Sequence, residues 1–343
     1  MSRASIAVNH RRIGGVRLRP LAELAGLVWL AEPDTMATGT APAPVPGPGE
    51  WWQAHRHEID TLLRRVGGLL FRGFDLPGPG AFADFVDQVL VRDTYVYRST
   101  PRTEVGERVY TATEYPAARS IPMHCENSYQ DSWPRWLAFY CDLPALAGGE
   151  TPLADVAEVT RCLPDELVQT FARKRVTYRR HYRDGVDLPW QTVFGTRDRG
   201  EVEAYCQSHG IAWTWIGDDQ LRTEQTCDAV VRHPVTGELL WFNQAHLFHA
   251  SALDDATRSA LVQTCGEDAL PRHACFGDGS PIGADLLACI RDAYARCARS
   301  FAWRRGDALL IDNLAVAHGR SPYRGDRRVL VAMGDRRVAR DAC

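Results

Sequence analysis

Three features that would assign many proteins to a class are missing from this sequence: Cys-X-X-Cys pairs, a long apolar run and an excess of basic residues. The ten cysteines are scattered along 343 residues, so we predict reduced thiols and no structural zinc site. No apolar run approaches the roughly 18–20 residues of a membrane span. Lys and Arg number 40 against 43 Asp and Glu, a net charge of −3, which argues against a nucleic-acid partner.

The N-terminus lacks the apolar stretch of a signal peptide. Arg3, Arg11 and Arg12 are not followed by an uninterrupted apolar region, so we predict a cytoplasmic protein with no membrane partner. There is also no GxGxxG motif, no P-loop and no internal repeat, which removes the usual support for a nucleotide cofactor. The hydrophobic fraction of 45% and the charged fraction of 24% are those of an ordinary globular protein.

A Pro- and Gly-rich stretch divides the sequence near residue 50. Residues 41–49 read APAPVPGPG, a composition typical of a loop or linker. We therefore predict an N-terminal segment and linker over residues 1–50 and one folded domain over residues 51–343.

The apolar pattern predicts short strands and a few helices. Helices are expected over residues 51–65, 82–89, 159–173, 257–265 and 283–299. Strands are expected over residues 68–71, 175–181, 212–216, 229–233, 239–242, 308–311 and 328–333. Residues 21–30 fit either a helix or a strand. Many short strands with helices in a few places indicate an α+β fold with a mainly antiparallel sheet or barrel.

The stretch IPMHCENSY, residues 121–129, carries the most informative chemistry. His124 and Glu126 are two residues apart, so in an extended segment both side chains point to the same side. His318, after a predicted strand, is the best candidate for a third ligand. Two histidines and a carboxylate form the facial triad of non-haem Fe(II) oxygenases, which leaves coordination positions open. A His-X-Glu pair alone is more often a surface pair or a hydrogen-bonded core histidine than a metal site. The surrounding motifs are therefore needed to distinguish these interpretations.

Five motifs provide that context. They are RGF at residues 72–74, TEYP at 113–116, GGETPLAD at 148–155, HPVTGELLWFNQ at 233–244 and HGRSPYRGDRRVL at 318–330. With the His-X-Glu pair, these motifs resemble the taurine dioxygenase/clavaminate synthase-like family of Fe(II)- and 2-oxoglutarate-dependent oxygenases. The sequence is most similar to the branch called SyrP-like. The resemblance covers roughly residues 65–335, and the combination is far more specific than any single motif.

The resemblance implies a double-stranded β-helix (a jelly roll, or cupin-like) core with flanking helices. It implies that His124, Glu126 and His318 hold Fe(II) and that Thr151 contacts 2-oxoglutarate. An arginine binds a carboxylate of the same cosubstrate, because its planar fork pairs with carboxylates. Arg328 is our choice for that arginine and Arg327 is the alternative, since strand neighbours point to opposite faces. Several relatives place an arginine further along, where this sequence has alanine and methionine (residues 332 and 333).

The same resemblance implies an oxygenase that uses 2-oxoglutarate and O₂ as cosubstrates. We expect hydroxylation of an unactivated C–H bond in a small-molecule substrate of secondary metabolism. That substrate would be an amino acid, free or tethered to a carrier protein. Desaturation, epoxidation and cyclisation need the same ligands and stay open, whereas halogenation is disfavoured because related halogenases replace the carboxylate that Glu126 supplies.

Two further hypotheses belong to different functional classes. One is a catalytically silent binding member of a biosynthetic assembly. The other is a zinc-dependent hydrolase that uses the same three ligands. A homo-oligomer is compatible with the sequence.

Several polar residues have a structural reading beside a functional one. His246 and His249 have the spacing of a helical metal site, but packing is the commoner role of such histidines. Asn243 and Gln244 either line the substrate site or satisfy loop backbone groups. We expect Arg72 to form a structural ion pair rather than to contact substrate.

Overall fold

The computed structural model describes residues 10–34, 46–93, 104–106, 109–112 and 115–339. Its strands are β1 (Arg11–Ile13), β2 (Val16–Pro20), β3 (Val28–Pro33), β4 (Gly68–Phe71), β5 (Glu104–Gly106), β6 (Val109–Thr111), β7 (Ile121–His124), β8 (Ser132–Leu143), β9 (Ala147–Gly148), β10 (Leu153–Asp155), β11 (Val176–Tyr182), β12 (Ala212–Ile216), β13 (Gln220–Cys227), β14 (Val230–Arg232), β15 (Leu239–Trp241), β16 (Arg272–Phe276), β17 (Ala308–Asp312), β18 (Val316–Arg320), β19 (Tyr323–Arg324) and β20 (Arg328–Val338). Its α-helices are α1 (Pro48–Ala54), α2 (Arg56–Leu63), α3 (Pro79–Val89), α4 (Val156–Cys162), α5 (Asp165–Lys174), α6 (Trp190–Phe194), α7 (Arg199–Ser208), α8 (Ala245–Phe248), α9 (Asp255–Cys265) and α10 (Ala284–Cys297).

Nine strands form one large sheet in the order β1-β2-β3-β4-β17-β8-β20-β6-β5. Its strand pairings are antiparallel except that of β3 with β4, which is parallel. A three-stranded sheet, β10-β18-β7, and a four-stranded sheet, β12-β13-β11-β16, form further layers. The pairs β14-β15 and β19-β9 complete the β structure of the described residues. Mainly antiparallel sheets combined with helices confirm the predicted α+β class.

Strand β8 lies inside the large sheet and is buried on both faces. Leu137 and Phe139 pack in a core that includes Leu153 of β10, so this face looks toward the three-stranded sheet. Ala138 and Tyr140 pack in a second core together with side chains of α1 and α3. Because both faces are apolar, the strand shows no alternation of polar and apolar residues. The sequence prediction missed β8 for this reason.

Two predicted helices are each divided in two. The helix expected over residues 51–65 breaks at His55 into α1 and α2. The helix expected over residues 159–173 breaks at Leu163 and Pro164, between α4 and α5. A proline has no N–H to donate and its ring clashes with the preceding turn, so it is tolerated at a helix start but not inside. The other predicted elements coincide with observed ones, although β20 continues to Val338.

Residues that precede the Pro- and Gly-rich stretch contribute to the large sheet. Strands β1, β2 and β3 form one of its edges, and β3 pairs with β4. Val16, Leu18 and Trp29 are buried in the core that also holds side chains of α1 and α3. Residues 21–30, for which the sequence left helix and strand open, hold a 3-10 turn followed by the start of β3. The division of the chain at residue 50 stays a prediction, and residues 35–45 lie outside the described ranges.

The helices are short, and α10 has 14 residues. Within the described ranges, no helix combines the length and apolar character that a bilayer crossing requires. The nine cysteines in these ranges are free thiols.

A buried ion pair joins two neighbouring strands of the large sheet. Arg72 follows β4, and its Nε and one terminal nitrogen donate to the two carboxylate oxygens of Asp307 at 2.9 and 2.6 Å. Only 2% of the Asp307 side chain is exposed. The backbone N–H of Arg304 donates to the same carboxylate at 2.8 Å. Arg72 therefore has the structural role that we expected, and the pair fixes the entry into β17.

We expect Arg72→Met to lower the free energy of unfolding by about 3–5 kcal/mol, because it leaves a buried carboxylate without its cation. Chemical denaturation followed by circular dichroism measures this loss. The matched control is Arg12→Met, which breaks an ion pair with Asp34 whose arginine side chain is 70% exposed and should cost at most about 1 kcal/mol. Equal losses in the two variants would contradict the structural role of Arg72.

Candidate metal centre

The three predicted metal ligands lie together at the three-stranded sheet. His124 ends β7, Glu126 lies in the turn that follows, and His318 lies in the middle of β18. In the antiparallel pairing of these strands His318 is directly opposite His124. The Oε2 atom of Glu126 is 3.9 Å from Nε2 of His124 and 3.9 Å from Nε2 of His318.

The donor set of this cluster suits a divalent iron ion. One ligand atom from each of the three residues lies within 4.8 Å of the others, and Glu126 and His318 are buried. Nδ1 of His124 is 2.8 Å from the carbonyl oxygen of Pro122. That acceptor places the proton on Nδ1, so the lone pair on Nε2 is the one that can bind a metal. Two imidazoles and one carboxylate are ligands of non-haem Fe(II), so the residues present fit this ion.

Asn313 holds the backbone of the ligand Glu126. Its Oδ1 accepts from the Glu126 N–H at 2.7 Å, and its Nδ2 donates to the Glu126 carbonyl oxygen at 2.9 Å and to the Pro134 carbonyl oxygen at 2.9 Å. The next residue, Asn127, has a φ of 56°, a left-handed conformation that asparagine tolerates better than most residues. The amide of Asn313 therefore fixes the point at which the chain turns after the His-X-Glu pair. The sequence analysis did not select Asn313.

A small cavity opens beside two of the ligands. Its polar lining comes from His124, His318, Thr151, Arg320 and Arg327. The remaining described residues that line it are apolar, namely Ala112, Ile121, Phe139, Gly319, Val329 and Val331. Among the described residues no acidic side chain lines the cavity, so two guanidinium groups face it without a carboxylate.

Thr151 lies where the sequence predicted it, at the cavity and just before β10. The loop that carries it packs closely on the strand pair β9-β19, where a Cβ at Gly148 would lie 2.2 Å from the carbonyl oxygen of Pro322. Trp303 Nε1 donates to Oγ1 of Thr151 at 3.0 Å. Because the indole occupies one lone pair, the hydroxyl proton of Thr151 is left to donate to another group.

Arg328, our choice for the arginine of the site, is not among the described residues that line the cavity. Arg328 pairs with Asp142, and 57% of its side chain is exposed. Arg327 lines the cavity instead. Arg327 directly precedes β20, whose residues Val329 and Val331 line the same cavity. Arg328 shares its face with Leu330 and Ala332, which pack toward α1 and α3.

Arg327 is held in place through its Nε atom, which leaves its two terminal guanidinium nitrogens for a ligand. Nε donates to the carbonyl oxygen of Gly149 at 2.9 Å. The two terminal nitrogens make no hydrogen bond to any described residue. Burial, together with the neighbouring guanidinium of Arg320, lowers the pKa of Arg327 to about 10. The group is therefore charged at neutral pH, in surroundings that favour an anion.

Arg320 is a second buried cation at the cavity, and the sequence analysis missed it. Its terminal nitrogens donate to the carbonyl oxygens of Tyr115, Pro116 and Arg119 at 2.8, 2.7 and 2.5 Å. Burial lowers its pKa. The signal was present, because Arg320 follows His318 by two residues on one strand and must share its face. Residues 113–114 of the TEYP motif lie outside the described ranges.

The polar residues of the HPVTGELLWFNQ motif contact backbone rather than the cavity. Asn243 donates to the Ala229 carbonyl oxygen at 2.9 Å and accepts from the Ala245 N–H at 3.1 Å. Gln244 donates to the Cys125 carbonyl oxygen at 2.7 Å. His246 is buried, and His249 accepts from the Ser251 N–H at 3.1 Å. Within the described ranges these histidines are not part of a cluster with metal-ligand spacing.

A sequence comparison identifies the family. Residues 32–333 match the family described as taurine catabolism dioxygenase TauD, TfdA family. The chain belongs to this family. The dapdiamide synthesis protein DdaC of Enterobacter agglomerans is 42% identical over 281 residues, which cover 81% of this chain and 85% of DdaC. A clavaminate synthase-like protein of Arabidopsis thaliana is 31% identical over 294 residues, which cover 82% of this chain and 85% of that protein.

Solved structures resemble this TauD/TfdA-family protein over most of its length. PvcB of Pseudomonas aeruginosa aligns with a TM-score of 0.55 and 17% identity over 96% of this chain and 94% of PvcB. A taurine dioxygenase of Burkholderia xenovorans aligns with a TM-score of 0.51 and 17% identity over 94% of this chain and 90% of that one. At this identity the likeness concerns the fold, and it confirms the predicted double-stranded β-helix core with flanking helices.

Membership of the TauD/TfdA family makes the protein an Fe(II)- and 2-oxoglutarate-dependent dioxygenase, as the motifs predicted. The His-Glu-His cluster fits the iron of this family. The roles of the single residues His124, Glu126, His318 and Thr151 stay predictions, and so does the place of the chain in the SyrP-like branch.

We expect His124→Ala and His318→Ala each to weaken Fe(II) binding at least about 100-fold, because losing a group that merely orients a ligand already costs about 10–100-fold. Anaerobic calorimetric titration of the metal-free protein measures the affinity. His249→Ala is the control, since His249 lies outside the cluster. Unchanged Fe(II) affinity in either of the first two variants would remove that histidine from the metal site.

Proposed function

We propose that the protein uses Fe(II), held by His124, Glu126 and His318, to hydroxylate an unactivated C–H bond of an amino acid. The amino acid is free or tethered to a carrier protein. The observation that carries the proposal is the joint placement of the metal-ligand cluster, Thr151 and a buried, charged Arg327 around one cavity with no acidic side chain among its described lining residues. Such a cavity suits a dianionic cosubstrate that binds a metal at one end and a guanidinium at the other.

Each end of 2-oxoglutarate finds a complementary group in this arrangement. A metal held by His124, Glu126 and His318 would bind the 2-oxo acid end. Arg327 takes the distal carboxylate with its two terminal nitrogens, because a guanidinium fork pairs bidentately with a carboxylate. Thr151 donates its hydroxyl proton to the same cosubstrate. Burial of these groups strengthens each contact relative to a contact in water.

The bound iron, together with 2-oxoglutarate and O₂, supplies the oxidising power needed to break an unactivated C–H bond. The chain itself has to hold the target carbon close and to keep water out. Part of the cavity wall is apolar and is formed by Phe139, Val329 and Val331. Phe139 also packs against the ring of His318 at a centroid distance of 5.2 Å, which restricts the orientation of this ligand.

The relative with 42% identity supports the substrate class. DdaC is named as a dapdiamide synthesis protein, and a role in the synthesis of a specialised small molecule fits an amino-acid substrate for the present chain. Desaturation, epoxidation and cyclisation use the same centre and are alternative outcomes. A silent binding member has no use for a charged Arg327 at the cavity whose terminal nitrogens make no hydrogen bond to a described residue. A zinc hydrolase, whose ligands could be the same, has no use for a 2-oxoglutarate site.

The deciding experiment is a product assay with Fe(II), 2-oxoglutarate and O₂ against amino acids, presented both free and loaded on a carrier protein. We expect succinate release that depends on one substrate and a product heavier by one oxygen atom. Mass spectrometry distinguishes this product from a desaturated or cyclised one, which has lost two hydrogens. Substrate binding without 2-oxoglutarate turnover would favour the silent member, and anaerobic turnover with zinc would favour the hydrolase.

We expect Arg327→Ala to raise the 2-oxoglutarate concentration needed for half-maximal turnover by about one and a half to three and a half decades. Truncating one partner of a buried charge pair costs about 2–5 kcal/mol, and about 1.4 kcal/mol corresponds to a factor of ten. Fe(II) affinity should change much less. Arg328→Ala is the matched control, because this neighbouring arginine does not line the cavity and 57% of its side chain is exposed. If Arg328→Ala shows the larger effect, the assignment of Arg327 is wrong.

A further inference from the structure

Strand β7, which carries His124, lies at the edge of its sheet. Its described strand neighbour is β18, which pairs with it through His318 opposite His124. Successive carbonyl groups of a strand point to opposite sides. Met123 and Cys125, on either side of His124, are buried, so their carbonyl groups need hydrogen-bond partners. Ser128 Oγ donates to the Cys125 carbonyl oxygen at 3.0 Å, and further partners come from outside β7.

Two side chains from one short segment supply those partners. Nε2 of Gln244 donates to the carbonyl oxygen of Cys125 at 2.7 Å. Nε2 of His246, at the start of α8, is 3.0 Å from the carbonyl oxygen of Met123. Gln244 is 6% exposed and His246 is 1% exposed. The two donors are two residues apart in sequence, and so are the two carbonyl groups that they contact. The donors supply hydrogen bonds at a sheet edge where a further strand would otherwise pair.

Both donors are themselves held in place. The backbone N–H of Gln244 donates to the hydroxyl oxygen of Tyr178 at 2.8 Å. The ring of His246 stacks on Tyr294 at a centroid distance of 5.0 Å and an interplanar angle of 29°. Neither residue can follow β7 if the strand moves, so the contact restrains the strand.

His246 acts as a neutral donor. Burial lowers its pKa to about 4, so the imidazole carries a single proton at neutral pH. The contact with the Met123 carbonyl oxygen, which can only accept, places that proton on Nε2. His246 is therefore occupied by the backbone of β7 and is not offered to a second metal.

We propose that Gln244 and His246 are positioning residues for the iron site: they fix the backbone on both sides of His124 and immediately before Glu126, and so pre-form the metal-binding geometry. The proposal rests on the proposed function of the His-Glu-His cluster. It assigns a role to the FNQ end of the HPVTGELLWFNQ motif and to the histidine that follows it. A site that is already in place loses less freedom when the metal binds, so affinity should fall when the restraint is removed.

The test uses variants that remove one donor each and keep size or stacking. Gln244→Met keeps the length of the side chain, and His246→Phe keeps a ring against Tyr294. The control is Thr160→Val, which removes the hydroxyl that accepts from the Trp241 N–H at 2.8 Å and donates to the Val156 carbonyl oxygen at 2.7 Å. The bond to Trp241 holds β15, the strand just before Gln244, but does not touch β7. Anaerobic titration of the full-length metal-free protein with Fe(II), or with Mn(II) as an air-stable probe, gives the affinity, and thermal denaturation gives the stability.

We expect Gln244→Met and His246→Phe each to weaken Fe(II) and Mn(II) binding about tenfold, the lower end of the range for groups that orient metal ligands. Thr160→Val should lower the melting temperature of the metal-free protein by a similar amount and leave both affinities unchanged. His246→Gln, which restores a donor, should recover part of the loss. If Gln244→Met, His246→Phe and Thr160→Val differ only in stability and share the wild-type affinity, Gln244 and His246 have a purely structural role and the proposal is overturned.

Failure of the proposed function would look different. In that case the wild type and His124→Ala would bind Fe(II) equally weakly, and substitutions at residues 244 and 246 would not change the affinity. If one of the two donor variants does not fold, the other decides the question, because each contacts a different carbonyl group of β7.

Discussion

The antiparallel pairing of β18 with β7 is the contact on which the candidate site depends. It sets His318 opposite His124, and the pairing of β18 with β10 on its other side sets Leu153 opposite His318 and thereby places Thr151. Arg320, two residues further along β18, faces the same cavity. A slip of one residue would turn His318 and Arg320 to the opposite face together. The register of β18 therefore fixes the positions of His318 and Arg320 and of the loop that carries Thr151.

The sequence was sufficient for those parts of the site that a short-range pattern encodes. His124 and Glu126 are recognisable from their spacing, although Glu126 lies in the turn after β7 and not in an extended strand, and Thr151 is recognisable from a local motif. The sequence could not decide between Arg327 and Arg328, because β20 is apolar on both faces and its pattern does not show which face looks inward. Strand β8 was missed for the same reason. Asn313 contacts the backbone of Glu126, and His246 contacts that of Met123, from distant parts of the chain, so these contacts are visible only in the folded structure.

Positive charge predominates around the cavity. The guanidinium of Arg320 disfavours the charged state of Arg327, and the carboxylate of Glu150 offsets this only in part. Among the described residues that line the cavity itself there is no carboxylate. Two confined positive charges raise the free energy of the empty protein, and an incoming dianion relieves this repulsion. Binding of such an anion also stabilises the folded state by mass action, so affinity for the cosubstrate and stability of the holoprotein are linked.

The way in which Arg320 holds the segment before β7 has a consequence for how this region can change over time. Its guanidinium binds three main-chain carbonyl oxygens, those of Tyr115, Pro116 and Arg119. Every amino acid provides a carbonyl oxygen, so this attachment does not depend on the side chains that the segment carries. The segment can therefore exchange side chains while its path stays anchored to the strand that carries His318. Sequence divergence there requires no redesign of its support.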